Sequence, residues 1–195
     1  MANYDIIVIG AGPAGYVGAI RAAQLGLKTA VIDKQWLGGV CLNTGCIPSK
    51  ALLKNADVVH TLRNRGKEFG FSIENLKVDY NVAVKRSRKV SDRLTKGVGF
   101  LMKKNKIDVH MGSAKFTAQD AVEVTDSDGN TDSHLGKNII IATGASAIVP
   151  SGWEVDGTQI LTYHEAILQE HLPKSVVVIG SGAIVVEFAT IWNSY

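Results

Sequence analysis

The chain opens on an apolar run, Tyr4-Asp5-Ile6-Ile7-Val8-Ile9-Gly10, of a length suited to one buried strand. A glycine-rich turn ends the run. The stretch that follows, to about Leu25, carries Ala19, Ala22 and Ala23 at the spacing of one helix face. Residues 28–33, KTAVID, predict a second strand, so strand, helix and strand form a parallel βαβ unit. Residues 34–46 read as a loop holding Gly38, Gly39 and Gly45. A helix begins near Ile47 with Pro48 in its first turn, where a missing N–H breaks no bond, and Leu52, Ala56, Val59 and Leu62 form its apolar side. Residues 80–104 predict a long helix whose stripe is Val90, Leu94, Val98 and Leu101. Residues 107–125 and 133–143 read as short strands around a turn at 126–130, and residues 150–173 as a connector with a short helical piece near Tyr163–Glu170. At residue 176 the opening pattern returns as the strand VVVIG, a glycine turn and a helix. The fold class is therefore α/β: a Rossmann-like domain over 1–150, a connector over 151–172, and the start of a second such domain over 173–195.

Composition narrows this picture only a little. Of the 195 residues, 46% are hydrophobic and 20% charged, ordinary proportions for a globular protein. A net charge of +3 is too weak to argue for nucleic acid. No stretch is long and apolar enough to predict a membrane span, and the start lacks the basic region and cleavage site of a signal peptide, so the cytoplasm is expected. The segment 85–106 holds nine cations against the single acid Asp92, which reads as a solvated helix face. The acids of Asp126-Ser127-Asp128-Gly129-Asn130 have the wrong spacing for a calcium loop and read as a plain turn.

The first glycine turn, Gly10-Ala11-Gly12-Pro13-Ala14-Gly15, matches G-x-G-x-x-G. It follows a strand, opens a helix, and is answered by Asp33 at the end of the next strand, which is the context a dinucleotide fingerprint requires. Gly10 permits the tight turn, Gly12 lets the backbone approach a pyrophosphate at the helix N-terminus, and Gly15 lets helix and strand pack closely. Asp33 would accept hydrogen bonds from a ribose hydroxyl. The pattern alone does not distinguish FAD from NAD.

Cys41 and Cys46 stand five positions apart. A metal site would want further Cys or His ligands at suitable spacing, and the five histidines are scattered, so no metal is expected. A structural disulfide closing so short a loop would contribute about 2 kcal/mol, a weak reason for one in a reducing compartment. A redox pair has a positive argument. Cys46 lies just before a predicted helix, at the positive end of its dipole, and Lys50 follows one turn on, both of which favour a thiolate.

The run Gly38-Gly39-Val40-Cys41-Leu42-Asn43-Thr44-Gly45-Cys46-Ile47-Pro48-Ser49-Lys50 closely resembles the active-site signature of the flavoprotein disulfide reductases, and its Leu42 and Ile-Pro-Ser-Lys ending resemble the lipoamide branch more than the glutathione or mercuric reductases. The resemblance covers the whole chain. It implies an FAD-binding domain with a parallel sheet and a β-meander, in which Gly10, Gly12, Pro13, Ala14, Gly15, Asp33 and Lys34 would hold the ADP half of FAD. Gly39, Val40 and Cys41 would line the flavin side, the segment Gly112-Ser113-Ala114 would touch the adenine, and Thr143, Gly144 and Ala145 would pass close to the cofactor. Cys46 would be the flavin-proximal sulfur and Cys41 the outer one that exchanges with dihydrolipoamide, while Lys50 would sit near the flavin and pair with Glu187. Gly180 and Gly182 would begin an NAD-binding domain, although Val185 stands where the family has glycine or sometimes alanine.

The resemblance further implies a homodimer that oxidises dihydrolipoyl groups of 2-oxo-acid dehydrogenase complexes, with electrons passing to NAD+. The family also carries a later Gly-Asp segment, the rest of the NAD domain and a His–Glu pair across a dimer interface. The expectation is accordingly that this chain is a fragment with no turnover on its own, or an FAD-binding piece without catalysis.

Overall fold

The structure is a computed structural model and describes residues 2–195. It divides into two compact units, Met1–Asn43 with Asp92–Ser146, and Thr44–Ser91 with Ala147–Tyr195.

The first unit is built on β1 (Ala2–Ile9), α1 (Pro13–Gln24) and β2 (Thr29–Asp33), the expected βαβ unit. A short helix α2 (Gly39–Asn43) interrupts the segment read as loop. Two glycines in the left-handed region, Gly38 at φ 86° and Gly39 at φ 58°, turn the chain into it. The region 107–125 resolves into three strands, β3 (Asp108–Met111), β4 (Ser113–Ala118) and β5 (Ala121–Thr125), followed by β6 (Thr131–Ile141). The sheet order is β3-β2-β1-β6-β5-β4. The first four strands run parallel, with Ile7 facing Ala30 on one side and Ile139 on the other, and β6, β5 and β4 form an antiparallel meander. Ile7, Val8, Ala30, Val31 and Ile32 are buried because strands covered on both faces keep unbroken apolar runs. At the β5–β6 turn the Asp126 carboxylate accepts from the backbone N–H groups of Asp128 and Asn130, which closes a plain turn.

The second unit is helical: α3 (Cys46–Asn64), α4 (Gly66–Phe69), the first half of α5 (Tyr80–Lys104), α6 (Tyr163–Ala166) and α7 (Ala183–Ser194). Its core gathers Leu52 and Ala56 of α3, Tyr80, Ala83 and Val84 of α5, Ala166 of α6 with Ile167, and Phe188 and Ile191 of α7. The Trp192 indole N–H donates to the Tyr80 hydroxyl, and the Arg63 guanidinium donates to the last carbonyls of α7 at Ser194 and Tyr195.

Two expectations are corrected. Residues 176–179 form no strand, because no segment of the described residues runs beside them to complete a ladder; Val177 and Ile179 are exposed. The buried stripe of α5 is Ala83, Val84, Ser87, Ser91, Val98 and Met102, while Leu94 and Leu101 face outward. Counting only large apolar residues rotates the helix wrongly, since a small serine can face the core: the Ser87 hydroxyl satisfies itself on the Val84 carbonyl.

Candidate active site

At the carboxyl ends of the parallel strands, the first unit opens a cleft of about 470 Å³. It brings together Gly10, Gly12, Pro13, Ala14, Asp33, Lys34, Gly39, Val40, Cys41, Gly112, Ala114, Thr143, Gly144 and Ala145. Gly15 lies outside it and acts through packing. A β-carbon there would be driven onto the carbonyl oxygen of Gly10, so the helix can approach the strand this closely only without one. Gly10 holds φ 106°, and its N–H donates to the Ile32 carbonyl at 2.7 Å.

The geometry of the cleft suits an anion. Helix α1 starts at Gly12 with no side-chain cap and no acidic residue in its first turn, so its first N–H groups and the positive end of its dipole are left for a ligand. Pro13 at the first helical position fixes the helical start without adding a donor. Across the cleft, a β-carbon on Gly39 would come within 2.6 Å of the Gly12 Cα, so two bare backbones meet there. The Asp33 carboxylate accepts from the backbone N–H of Ala11 at 2.7 Å, Gln35 at 2.8 Å and Trp36 at 3.1 Å. A carboxylate has about four acceptor sites, so capacity remains for a ribose hydroxyl. These features fit the adenosine–pyrophosphate half of a dinucleotide.

Ser113, expected beside the adenine with its neighbours, also lines the cleft; sequence reasoning did not single out Ile9, Ile32, Gln35, Trp36 and Ala142, which line it as well. Their signal was positional. Ile9 and Ile32 lie at the ends of β1 and β2, and Gln35, Trp36 and Ala142 lie in the segments that leave β2 and β6, which is where such sheets bind ligands.

Cys41 sits on α2, half-buried, within this cleft. Asn43 holds the turn by donating its side-chain amide to the carbonyls of Leu37 and Gly39. Cys46, Lys50 and Glu187 belong to the second unit. Cys46 is the exposed first residue of α3, which starts at Gly45 without a side-chain cap. One turn on, the Lys50 ammonium donates to Glu187 of α7.

Gly180 and Gly182 also lie in the second unit, and their turn is not a copy of the first. Gly180 holds φ 124° and Gly182 precedes α7, but the Val185 Cγ2 lies 3.2 Å from where a Gly180 β-carbon would be. A branched side chain thus fills the space that Gly15 leaves empty in the first turn, and no strand forms before it. These residues do not fit a nicotinamide dinucleotide in the way the first turn fits its ligand.

A parallel sheet whose first βα corner leaves an uncapped helix start open to an anion, with a cysteine in the same cleft, is the architecture of a dinucleotide-dependent redox protein. The pattern of the pyridine nucleotide-disulphide oxidoreductases matches residues 4–195, and the chain belongs to that family. It is 49% identical, over all of its length, to 42% of the dihydrolipoyl dehydrogenase of Mycobacterium tuberculosis (strain ATCC 25618 / H37Rv). It is 48% identical, over 98% of its length, to 43% of the Rhizobium etli dihydrolipoyl dehydrogenase. Among solved structures, LpdA from M. tuberculosis superposes with a TM-score of 0.88 at 26% identity, covering all of this chain and 43% of that one. The HOCl-induced flavoprotein disulfide reductase RclA from Escherichia coli superposes at 0.81 and 26%, covering 98% and 40%. The chain thus spans about two-fifths of the length of these relatives.

Proposed function

We infer that this chain is the FAD-binding and dithiol part of an enzyme that oxidises protein-bound dihydrolipoamide to lipoamide. The carrying observation is that Cys41 lines the same cleft as the fingerprint glycines and Asp33. In this reading the first N–H groups of α1 face the FAD pyrophosphate and Asp33 the ribose. Gly112 and Ala114 meet the adenine, while Gly39, Val40 and Cys41 border the flavin, with Thr143, Gly144 and Ala145 alongside. Bound FAD supplies an acceptor for one electron pair from the reduced cysteines.

The cysteines do the thiol work. A dihydrolipoyl thiolate attacks the Cys41 sulfur of a Cys41–Cys46 disulfide, forms a mixed disulfide and releases Cys46 as thiolate. The second substrate thiolate then attacks the substrate sulfur of that mixed disulfide. Lipoyl disulfide forms and Cys41 leaves as thiolate, so two electrons have moved from substrate to the cysteine pair. Lys50, held by Glu187, keeps a cation one helical turn from Cys46. The whole protein would work as a homodimer on dihydrolipoyl groups of 2-oxo-acid dehydrogenase complexes in the cytoplasm, with NAD+ as final acceptor. No step through NAD+ is assigned to the Gly180 turn, whose Val185 does not suit it. The identities of 47–49% to dihydrolipoyl dehydrogenases favour the lipoyl substrate over glutathione disulfide.

The test is to refold the chain with FAD, remove free cofactor, and reduce it with dihydrolipoamide. Retained flavin that is reduced by dihydrolipoamide, with the response lost in C41S and C46S, supports the reading. A chain that retains flavin but exchanges no electrons with dihydrolipoamide overturns it.

A further inference from the structure

The connector expected between two domains does more than connect. Thr162 and Glu165 form a reciprocal capping box at the start of α6: the Thr162 backbone N–H donates to Glu165 at 2.7 Å, and the Thr162 hydroxyl accepts from the His164 N–H at 3.3 Å. The Thr162 hydroxyl, hydrogen-bonded to Glu165, holds that carboxyl below the usual range. Ala166 and Ile167 are buried against Leu52, Ala56 and Phe188, so this short helix is pinned into the core of the second unit. The pinned segment presents His164, whose ring lies 4.1 Å from that of Tyr163 and whose Nδ1 is 3.0 Å from the Thr44 hydroxyl.

Thr44 stands between the two cysteines and is only 6% exposed. The next residue, Gly45, begins α3 with φ −130° and ψ −119° and gives the helix no cap. With no side-chain cap at its start, α3 is held at this end by its buried first turn, Pro48 and Ser49, and by the Thr44 anchor just before it. We propose that His164 is a positioning residue for Cys46: through the Thr44 hydroxyl it fixes the turn that holds this sulfur on the first residue of α3. Its place in the mechanism rests on the reading of Cys46 as a working thiol. Cys46 is already exposed, so loosening the loop gains it no access. What loosening removes is the fixed orientation of the turn that carries the sulfur, and the sulfur reacts more slowly.

The test measures the rate of Cys46 alkylation by iodoacetamide at neutral pH in the full chain carrying C41S. Breaking the bond from either side, by H164A or T44V, slows the reaction by about three- to tenfold, the weight of one hydrogen bond. The double variant is no slower than either single one, and H164N, whose amide reaches the Nδ1 position, restores the rate. If H164A fails to fold, T44V decides alone. Unchanged rates in folded H164A and T44V chains overturn the proposal, as does an H164N chain as slow as H164A.

A glutathione titration of the chain with both cysteines separates this from the reading it rests on. In that exchange two cysteine thiols lose two electrons and two protons, one S–S bond forms, and glutathione disulfide becomes two glutathione thiols. If no Cys41–Cys46 disulfide forms, the dithiol reading fails while the alkylation comparison still judges His164. Where it forms, T44V and H164A shift the equilibrium about three- to tenfold, or about 15–30 mV. An unshifted midpoint in both variants counts against the proposal.

Discussion

Replacing Gly12 with alanine separates the fold of the glycine turn from its purpose. Gly12 has φ −70° and ψ −176°, an extended conformation open to any residue, and its β-carbon would meet nothing nearer than the Gly39 Cα at 3.9 Å. The unliganded chain should therefore accept G12A without loss, and gain up to about 1 kcal/mol because alanine restricts the unfolded state. The ligand should not tolerate it. The added methyl stands at the uncapped start of α1, where the pyrophosphate must approach the backbone. Losing one charge-assisted N–H···O bond costs about 1.5–3 kcal/mol, which is roughly 10- to 100-fold in flavin affinity. G15A should show the opposite order. Its β-carbon meets the Gly10 carbonyl, with the carbonyl carbon at 2.8 Å, so the fold itself should lose about 1–3 kcal/mol. Urea unfolding followed by circular dichroism gives the stabilities, and quenching of flavin fluorescence gives the affinities. A G12A chain that binds flavin as tightly as the parent, or that loses more than about 1 kcal/mol unliganded, refutes the assignment of this turn as the anion cradle.

Asp33→Ala orphans three backbone donors and should cost about 2–4 kcal/mol in unfolding free energy together with flavin affinity; equal stability to the parent would contradict this. The Lys50–Glu187 pair is 61% exposed on the lysine side, so a K50M/E187Q double-mutant cycle on stability should give a coupling below about 1 kcal/mol that shrinks with added salt. Tyr4 is buried and its hydroxyl donates to Asp108; burial first, then that acid, push its phenol to about 12. A pKa raised on folding contributes stability that is whole below pH 10 and is lost as pH rises through about 12. Y4F should remove that alkaline loss from denaturation curves, and an identical loss in Y4F would reject the assignment.

The βαβ unit and the cleft were legible because their signals are local and have few alternatives. Gly10 and Gly15 stand where a β-carbon would strike backbone, and Asp33 ends its strand facing the turn. Other features depend on partners that a linear reading does not supply. The run at 176–179 has the composition of a strand, yet a strand exists only beside another, and Val185 reshapes the turn that follows. The inward Ser87 of α5 was hidden because it finds its own acceptor. His164 carried no motif at all. It meets Thr44, 120 residues away in the chain, only because the α6 segment is anchored in the helical core.

The pairing of β1 with β6 joins Ile6 to Asn138, and so dictates the order in which the first unit can assemble. On a ribosome adding about 5–20 residues per second, the strand that completes the central hydrogen-bond ladder emerges roughly 7–30 s after the first. Through that interval Ile7 and Val8, fully buried at the end, have β2 beside them and an open edge on the other side. Premature pairing of that edge with another nascent chain is the failure this topology most invites. Slowing translation before residue 131, where β6 starts, should lower the yield of folded chain more than slowing it after residue 141, where β6 ends.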